Sequence, residues 1–261
     1  MFTDYRQYNM EHILEGKELN KKFASENGDT TALTDVSFYL DKGEVLGIVG
    51  ESGSGKSTLL KVVSGMITPD SGDLFHYGKK YTGQKPRKTG EFLQVIFQDA
   101  KSSFDPRMPM ERSIAEAGRG RADRALILEH IKKVGLDEEL LSRKPSQLSG
   151  GQCQRMSIAR AFYSGAGILL CDEITSALDV SSQAQVVEVM KNLKNDGKMS
   201  ALFVSHDIAL VSMICDRIMV MKDGRCVEQG EIGKIISDPQ HEYTRKLIES
   251  ARKQEIVNEV Y

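Results

Sequence analysis

The sequence predicts an α/β protein: a mixed β-sheet flanked by helices, with an antiparallel β part and a helical subdomain inserted mid-chain. Three observations carry this. Short, almost wholly apolar runs such as 44–49 and 168–171 have the length and character of strands covered on both faces. Amphipathic helical stretches follow such runs, the alternation that builds parallel sheets. Between about residues 99 and 163 the alternation stops and helix follows helix.

The elements follow in chain order. Residues 32–40 alternate, with Ala32, Thr34, Val36, Phe38 and Leu40 on one mainly apolar face, and predict a strand. Residues 44–49 form the next, buried strand. A glycine-rich loop then leads into a helix from Ser57 to Met66, made apolar on most sides by Leu59, Leu60, Val62, Val63 and Met66. Pro69-Asp70-Ser71-Gly72 has turn chemistry. Lys79, Lys80, Lys85, Arg87 and Lys88 read as a solvated basic loop. Residues 92–97 predict another strand. In the helical stretch Ile127, Leu128, Ile131 and Val134 share a face, and Gly118-Arg119-Gly120-Arg121 marks a loop. Strands at 167–172, 200–204 and 217–221 then alternate with helices at 182–193 and 207–215. Asp223-Gly224 signals a hairpin into 225–228. Near the end Tyr243, Leu247, Ile248 and Ala251 lie on one helical face. The expected organisation is one domain over 1–261: a core of 1–98 and 164–240, a helical subdomain at 99–163 and a C-terminal helix at 241–261.

Composition narrows the function. Lys and Arg total 35 against 37 Asp and Glu, a formal charge of −2 that argues against gripping nucleic acid through bulk charge. No apolar run approaches the roughly 18–20 residues of a membrane span, and residues 1–15 hold no apolar signal core. The expectation is a cytoplasmic chain that reaches a membrane only through partners. Cys153, Cys171, Cys215 and Cys226 show no C-x-x-C spacing, so free thiols are expected rather than a metal cluster or disulfides.

Gly50-Glu51-Ser52-Gly53-Ser54-Gly55-Lys56-Ser57 fits G-x-x-x-x-G-K-S/T, after a predicted strand and opening a predicted helix. Glycines let backbone N–H groups turn inward around phosphate oxygens, and the helix start adds about half a positive charge there. Lys56 is then expected to reach the β and γ phosphates of a nucleotide and the Ser57 hydroxyl to ligate Mg²⁺, with Thr58 next in the site. The strand 168–171 ends in Asp172 and Glu173. Strand alternation would turn one carboxylate to the metal and the other elsewhere. Asp172 is assigned to the magnesium shell and Glu173 to polarising the attacking water.

Leu148-Ser149-Gly150-Gly151-Gln152, followed by Gln154-Arg155 and Ala159-Arg160-Ala161, decides among nucleotide-binding families. With it the chain resembles the ATP-binding-cassette ATPases over about residues 11–249, which implies a P-loop NTPase core. The resemblance makes Gln98 the glutamine-loop residue contacting Mg²⁺ and water, and a hinge to the helical subdomain. It makes Ser176-Ala177-Leu178-Asp179 the D-loop, with Asp179 at the nucleotide interface, and His206 the switch histidine at the γ-phosphate. Phe23 matches the aromatic that stacks on adenine. It further implies a head-to-tail dimer of like or paralogous subunits, each ATP lying between one phosphate loop and the other copy's Ser149-Gly150-Gly151-Gln152. No Asn-Lys-x-Asp guanine-reading motif is present.

Three segments resemble the oligopeptide/dipeptide/nickel importer branch: Phe97-Gln98-Asp99-Ala100 with 102–108, Leu178-Asp179-Val180-Ser181 with 183–185, and Asp238-Pro239-Gln240-His241-Glu242-Tyr243-Thr244-Arg245. The branch implies integral-membrane permease subunits, an extracytoplasmic solute-binding protein reached indirectly, and a place at the cytoplasmic face of the membrane. Ala100 and Ile174 stand where the branch has proline, and neither removes a catalytic group. No cysteine follows Cys226, which leans toward nickel or metal chelates. The alternative is a non-transport cassette serving as an accessory of a larger soluble enzyme.

Overall fold

A computed structural model describes residues 12–24, 28–118, 122–197 and 199–259, with 252–259 as backbone alone. Its first elements are β1 (Leu14–Phe23), β2 (Thr30–Leu40), β3 (Val45–Val49), α1 (Lys56–Val63), β4 (Ser71–His76), β5 (Lys79–Lys80) and α2 (Pro86–Thr89). There follow β6 (Leu93–Ile96), α3 (Met110–Ala117), α4 (Arg124–Lys133), α5 (Gly150–Tyr163), β7 (Ile168–Asp172) and α6 (Val180–Asn195). The chain ends with β8 (Ser200–Val204), α7 (Ile208–Ile214), β9 (Arg217–Lys222), β10 (Arg225–Glu231), α8 (Ile232–Ser237) and α9 (Glu242–Glu259). Two compact units result, 1–89 with 200–261, and 90–199.

The first unit holds two β arrangements. One is antiparallel, in the order β2-β1-β4-β5, with Leu14 opposite Leu40 and Gly16 opposite Leu74. The other runs β10-β9-β3-β8. There β3 is parallel to both β8 and β9, and β9 and β10 are antiparallel across the Asp223-Gly224 turn. All five residues of β3 are buried, as its unbroken apolar run requires. Its start is fixed by Asp216, whose carboxylate accepts from Val45 N–H at 2.9 Å. Each fully buried Leu, Ile or Val here is worth about 1.5–3 kcal/mol. The sheet thus delivers a rigid strand end to the residues after Val49.

The second unit pairs β6 and β7 in parallel, Leu93 with Ile168 through Ile96 with Cys171. Its centre is α5, which packs on α3, α4, α6 and β6. Cys153, Met156, Ile158 and Ala159 of α5 are fully buried. Arg160 lies 4.1 Å from the Phe104 ring centroid and donates to the Ser103 carbonyl at 2.8 Å, tying α5 to the stretch that follows β6. The helical run expected at 99–163 lies wholly within this unit, together with β6, β7 and α6.

Several local expectations are corrected. The helix expected to reach Met66 stops at Val63, because Gly65 takes a left-handed φ of 77° and ends it. Met66 is therefore 43% exposed rather than packed. Ser71 and Gly72 open β4 instead of completing a turn: the Asp70 N–H donates to the Asn20 carbonyl at 2.8 Å, and its carboxylate accepts from Lys22 N–H at 2.7 Å, so pairing with β1 begins at once. Part of the basic loop is ordered, as β5 and α2. The loop expected at 118–121 falls mostly on residues 119–121, outside the described residues.

Candidate functional site

The candidate residues form two groups, one in each unit. In the first unit the loop after β3 turns through Gly50, Gly53 and Gly55 at φ of 152°, 82° and 103°. Only glycine fits at Gly50, where a Cβ would lie 2.2 Å from the Met221 carbonyl oxygen. The loop is braced by Gly224 N–H donating to the Ser54 carbonyl at 3.1 Å. The Lys56 ammonium, buried, donates to the carbonyls of Gly50 at 2.7 Å and Glu51 at 2.8 Å, drawing the loop over the head of α1. Ser57 and Thr58 follow half-buried in the first turn, while Glu51, Ser52 and Gly53 are exposed.

The helix starts differ from one another. α5, α6 and α7 are capped by the side chains of Ser149, Asp179 and Asp207, whereas Gly55 offers α1 none. A helix start without a side-chain cap, glycines at positive φ and a buried ammonium are what a polyphosphate chain needs.

His206 sits exposed between two fixed points. Ser205 N–H continues the sheet by donating to the Ile48 carbonyl at 3.1 Å, and the Asp207 carboxylate caps α7 through Ala209 and Leu210 N–H at 2.9 and 3.1 Å. Phe23 ends β1 at 41% exposure, with the Lys21 ammonium 5.7 Å from its ring centroid. Residues 25–27, just beyond β1, lie outside the described residues.

In the second unit Asp172 closes β7, half-buried. Glu173 does not continue the strand. Its φ is 47°, so strand alternation does not set its direction, contrary to expectation. A left-handed glutamate costs about 1–3 kcal/mol and persists only where neighbours over-determine it. Here the Glu173 carbonyl accepts from Ser176 N–H at 3.1 Å and from the Ser176 hydroxyl at 2.9 Å, with Ile174 buried between. The Gln98 amide, exposed, donates to that hydroxyl at 2.9 Å. Gln98, Glu173 and Ser176 are thus joined.

Ser149-Gly150-Gly151-Gln152 forms the start of α5, with Ser149 as its cap and Gly150 as its first residue. Ser149 caps it by accepting from Gln152 N–H at 3.2 Å, and Gln152 answers by accepting from Ser149 N–H at 3.0 Å. Asp179 caps α6 and accepts from Ser182 N–H and hydroxyl at 2.9 and 2.8 Å. These contacts hold its carboxyl below the usual carboxylate range. Ser182 also crowds Gly151, where a Cβ would stand 2.6 Å from its Oγ. Ser182 belongs to none of the motifs read in the sequence and Ser176 only opens the D-loop there, so the assembled fold reveals what each touches.

A family model described as ABC transporter matches residues 33–176, more than half of the chain. This chain belongs to the ABC transporter family. It is an ATP-binding and ATP-hydrolysing subunit. The oligopeptide transport ATP-binding protein OppF of Haemophilus influenzae is 39% identical over 259 residues, covering 92% of this chain and 78% of that protein. OppF of Escherichia coli is 41% identical, covering 83% of this chain and 68% of that protein. The dipeptide transport ATP-binding protein DppF of Escherichia coli is 38% identical over the same shares. Among solved structures, a dimeric post-hydrolysis state of the ATP-binding cassette MJ0796 bound to ADP and Pi aligns at TM-score 0.74 and 28% identity, over 84% of this chain and 98% of that one. Clostridium perfringens cbiO1, part of the ABC transporter complex cbiONQ, aligns at TM-score 0.77 and 26% identity, over 95% and 99%. The ABC ATPase carries the expected P-loop α/β fold, and these relatives lend the soluble-accessory alternative no support.

Proposed function

We propose that this ABC ATPase powers peptide import through a partner permease, alternately clasping and hydrolysing ATP as a head-to-tail dimer. The observation that carries the reading is the glycine-turned loop held by the buried Lys56 ammonium at the head of α1. Gly50 to Thr58 would hold the triphosphate, and Phe23 would stack on the base. Ser149, Gly150, Gly151 and Gln152, with Asp179, would face the partner copy's nucleotide. The dimeric MJ0796 cassette supports that arrangement.

Ser57, Asp172 and Gln98 supply hydroxyl, carboxylate and amide oxygens, the hard donors suited to Mg²⁺. Among the described residues no group of three or more His, Cys, Asp or Glu could hold a metal ion, which fits an ion carried mainly by phosphates and water rather than by a protein cage. Magnesium would neutralise charge on the β and γ phosphates. Glu173 polarises the attacking water, and His206 and Gln98 orient it about the γ-phosphate.

Among the described residues no helix is long and apolar enough to cross a membrane. The likeness to OppF and DppF supports a subunit that would sit at the cytoplasmic membrane face by docking on permease subunits. An extracytoplasmic binding protein would deliver the solute. The OppF and DppF relatives favour peptides, and none of the relatives named above speaks for nickel or metal chelates.

Glu173→Gln tests the reading. Radiolabelled ATP with Mg²⁺ should still bind, while turnover falls by about 10²–10⁴. Full turnover would remove Glu173 from its role. A wild-type chain that binds no ATP with its companions present would overturn the proposal as a whole.

A further inference from the structure

The segment from Asp238 to Arg245 marked a family branch in the sequence and has no part in the chemistry above. In the fold it is a tightly braced turn. Glu228 of β10 grips it with both carboxylate oxygens, accepting from Gln240 N–H at 2.8 Å and His241 N–H at 3.0 Å. Arg245 grips it from the other side, donating to the carbonyls of Pro239 at 3.0 Å and Gln240 at 2.8 Å. Tyr243 N–H donates to His241 Nδ1 at 3.1 Å. What these contacts fix is the first turn of α9, and Tyr243 projects from it.

Tyr243 is 8% exposed, with the Lys222 ammonium 5.0 Å from its ring centroid. Its hydroxyl oxygen accepts from Glu51 N–H at 2.9 Å. Glu51 is the second residue of the phosphate loop. Its carbonyl accepts from Lys56 at 2.8 Å and from Ser54 N–H at 3.2 Å. The residue is therefore held at both ends, the carbonyl by the loop's own lysine and the N–H by a tyrosine 192 residues away. The N–H contact comes from outside the loop.

We propose that Tyr243 is a positioning residue for nucleotide binding: its hydroxyl, set by the Glu228–Arg245 brace, holds the Glu51 N–H and keeps the phosphate loop in its binding conformation. The inference rests on the ATPase reading and adds the C-terminal segment to it. A loop held in advance loses less freedom when the phosphates arrive. The effect falls on ATP affinity rather than on the hydrolytic step, because Tyr243 touches none of the groups assigned to water.

Tyr243→Phe in the full chain removes only the hydroxyl. The dissociation constant of a fluorescent ATP analogue with Mg²⁺, and KM for ATP, should rise about three- to tenfold, the scale of one lost hydrogen bond. The kcat at saturating ATP should stay within about twofold of wild type. Hydrogen exchange at the Glu51 amide should quicken in the absence of nucleotide, a readout that survives even if the ATPase reading fails. Arg245→Ala, which touches no loop residue, should raise the same constants, and should add nothing once Tyr243→Phe is present. A folded Tyr243→Phe protein with unchanged ATP affinity and unchanged Glu51 exchange would overturn the proposal, as would additive effects of the two changes. A purely packing role would lower Tm and leave affinity and exchange alone. If Tyr243→Phe does not fold, Arg245→Ala decides alone: raised constants support the brace, and unchanged constants overturn it.

Discussion

The Gln98 side-chain amide donates to the Ser176 hydroxyl at 2.9 Å, and the same hydroxyl donates onward to the Glu173 carbonyl at 2.9 Å. One small side chain therefore connects Gln98, two residues past the end of β6, to the backbone of Glu173, the residue after β7. It also adds to the Ser176 N–H bond that helps hold Glu173 at its left-handed φ of 47°.

Removing that hydroxyl should loosen both partners while leaving the phosphate loop untouched. Ser176→Ala deletes two hydrogen bonds of ordinary strength, about 1–2 kcal/mol together, so kcat should fall roughly five- to thirtyfold with KM for ATP nearly constant. Steady-state ATPase kinetics check this. An unchanged kcat would mean that neither Gln98 nor Glu173 depends on Ser176.

Gly151 owes its identity to packing. A Cβ there would stand 2.6 Å from the Ser182 oxygen and 2.8 Å from its Cβ, and that oxygen is fixed by the Asp179 carboxylate. Gly151→Ala should therefore destabilise the fold by about 1–3 kcal/mol through overpacking. Adding Ser182→Gly clears both contacts, so the double variant should be more stable than the sum of the single changes predicts. Denaturant unfolding of all four proteins gives the coupling. Strict additivity would show that Ser182 is not what excludes a larger residue.

The parts of the site that could be read from sequence are those whose cause is local. The phosphate loop joins a five-residue buried strand to an uncapped helix within one stretch, and the Ser149–Gln152 capping box spans four consecutive residues. What could not be read depends on distant partners or on backbone geometry. Tyr243 meets Glu51 across 192 residues. Gly151 reads as a flexible turn until α6 brings Ser182 against it. Strand alternation gave a direction for Glu173 that its positive φ cancels. β1 carries no legible strand pattern because lysines dilute it and irregular register between Gly16 and Leu19 breaks its period. The apolar pattern of Leu59, Leu60, Val62, Val63 and Met66 overruns the end of α1, since nothing in it announces that Gly65 stops the helix.

Asp179 makes the stability of the α6 start depend on pH. Hydrogen bonds from Ser182 N–H and the Ser182 hydroxyl hold its carboxyl below the ordinary value of 3.8. A carboxyl depressed in the folded state stabilises when ionised. Its contribution is full above the ordinary value and is lost as pH falls through the lower folded value. Asn at this position can still accept from the Ser182 N–H, but its NH₂ cannot accept from the hydroxyl. Asp179→Asn should therefore be less stable than wild type at neutral pH, with the two stability curves converging in acid. Because the side chain is exposed, the gap should also shrink with added salt. Denaturation midpoints followed from about pH 7 down to about pH 3 test the linkage. A gap of constant size across that range would show that the cap acts through geometry alone, without the charge.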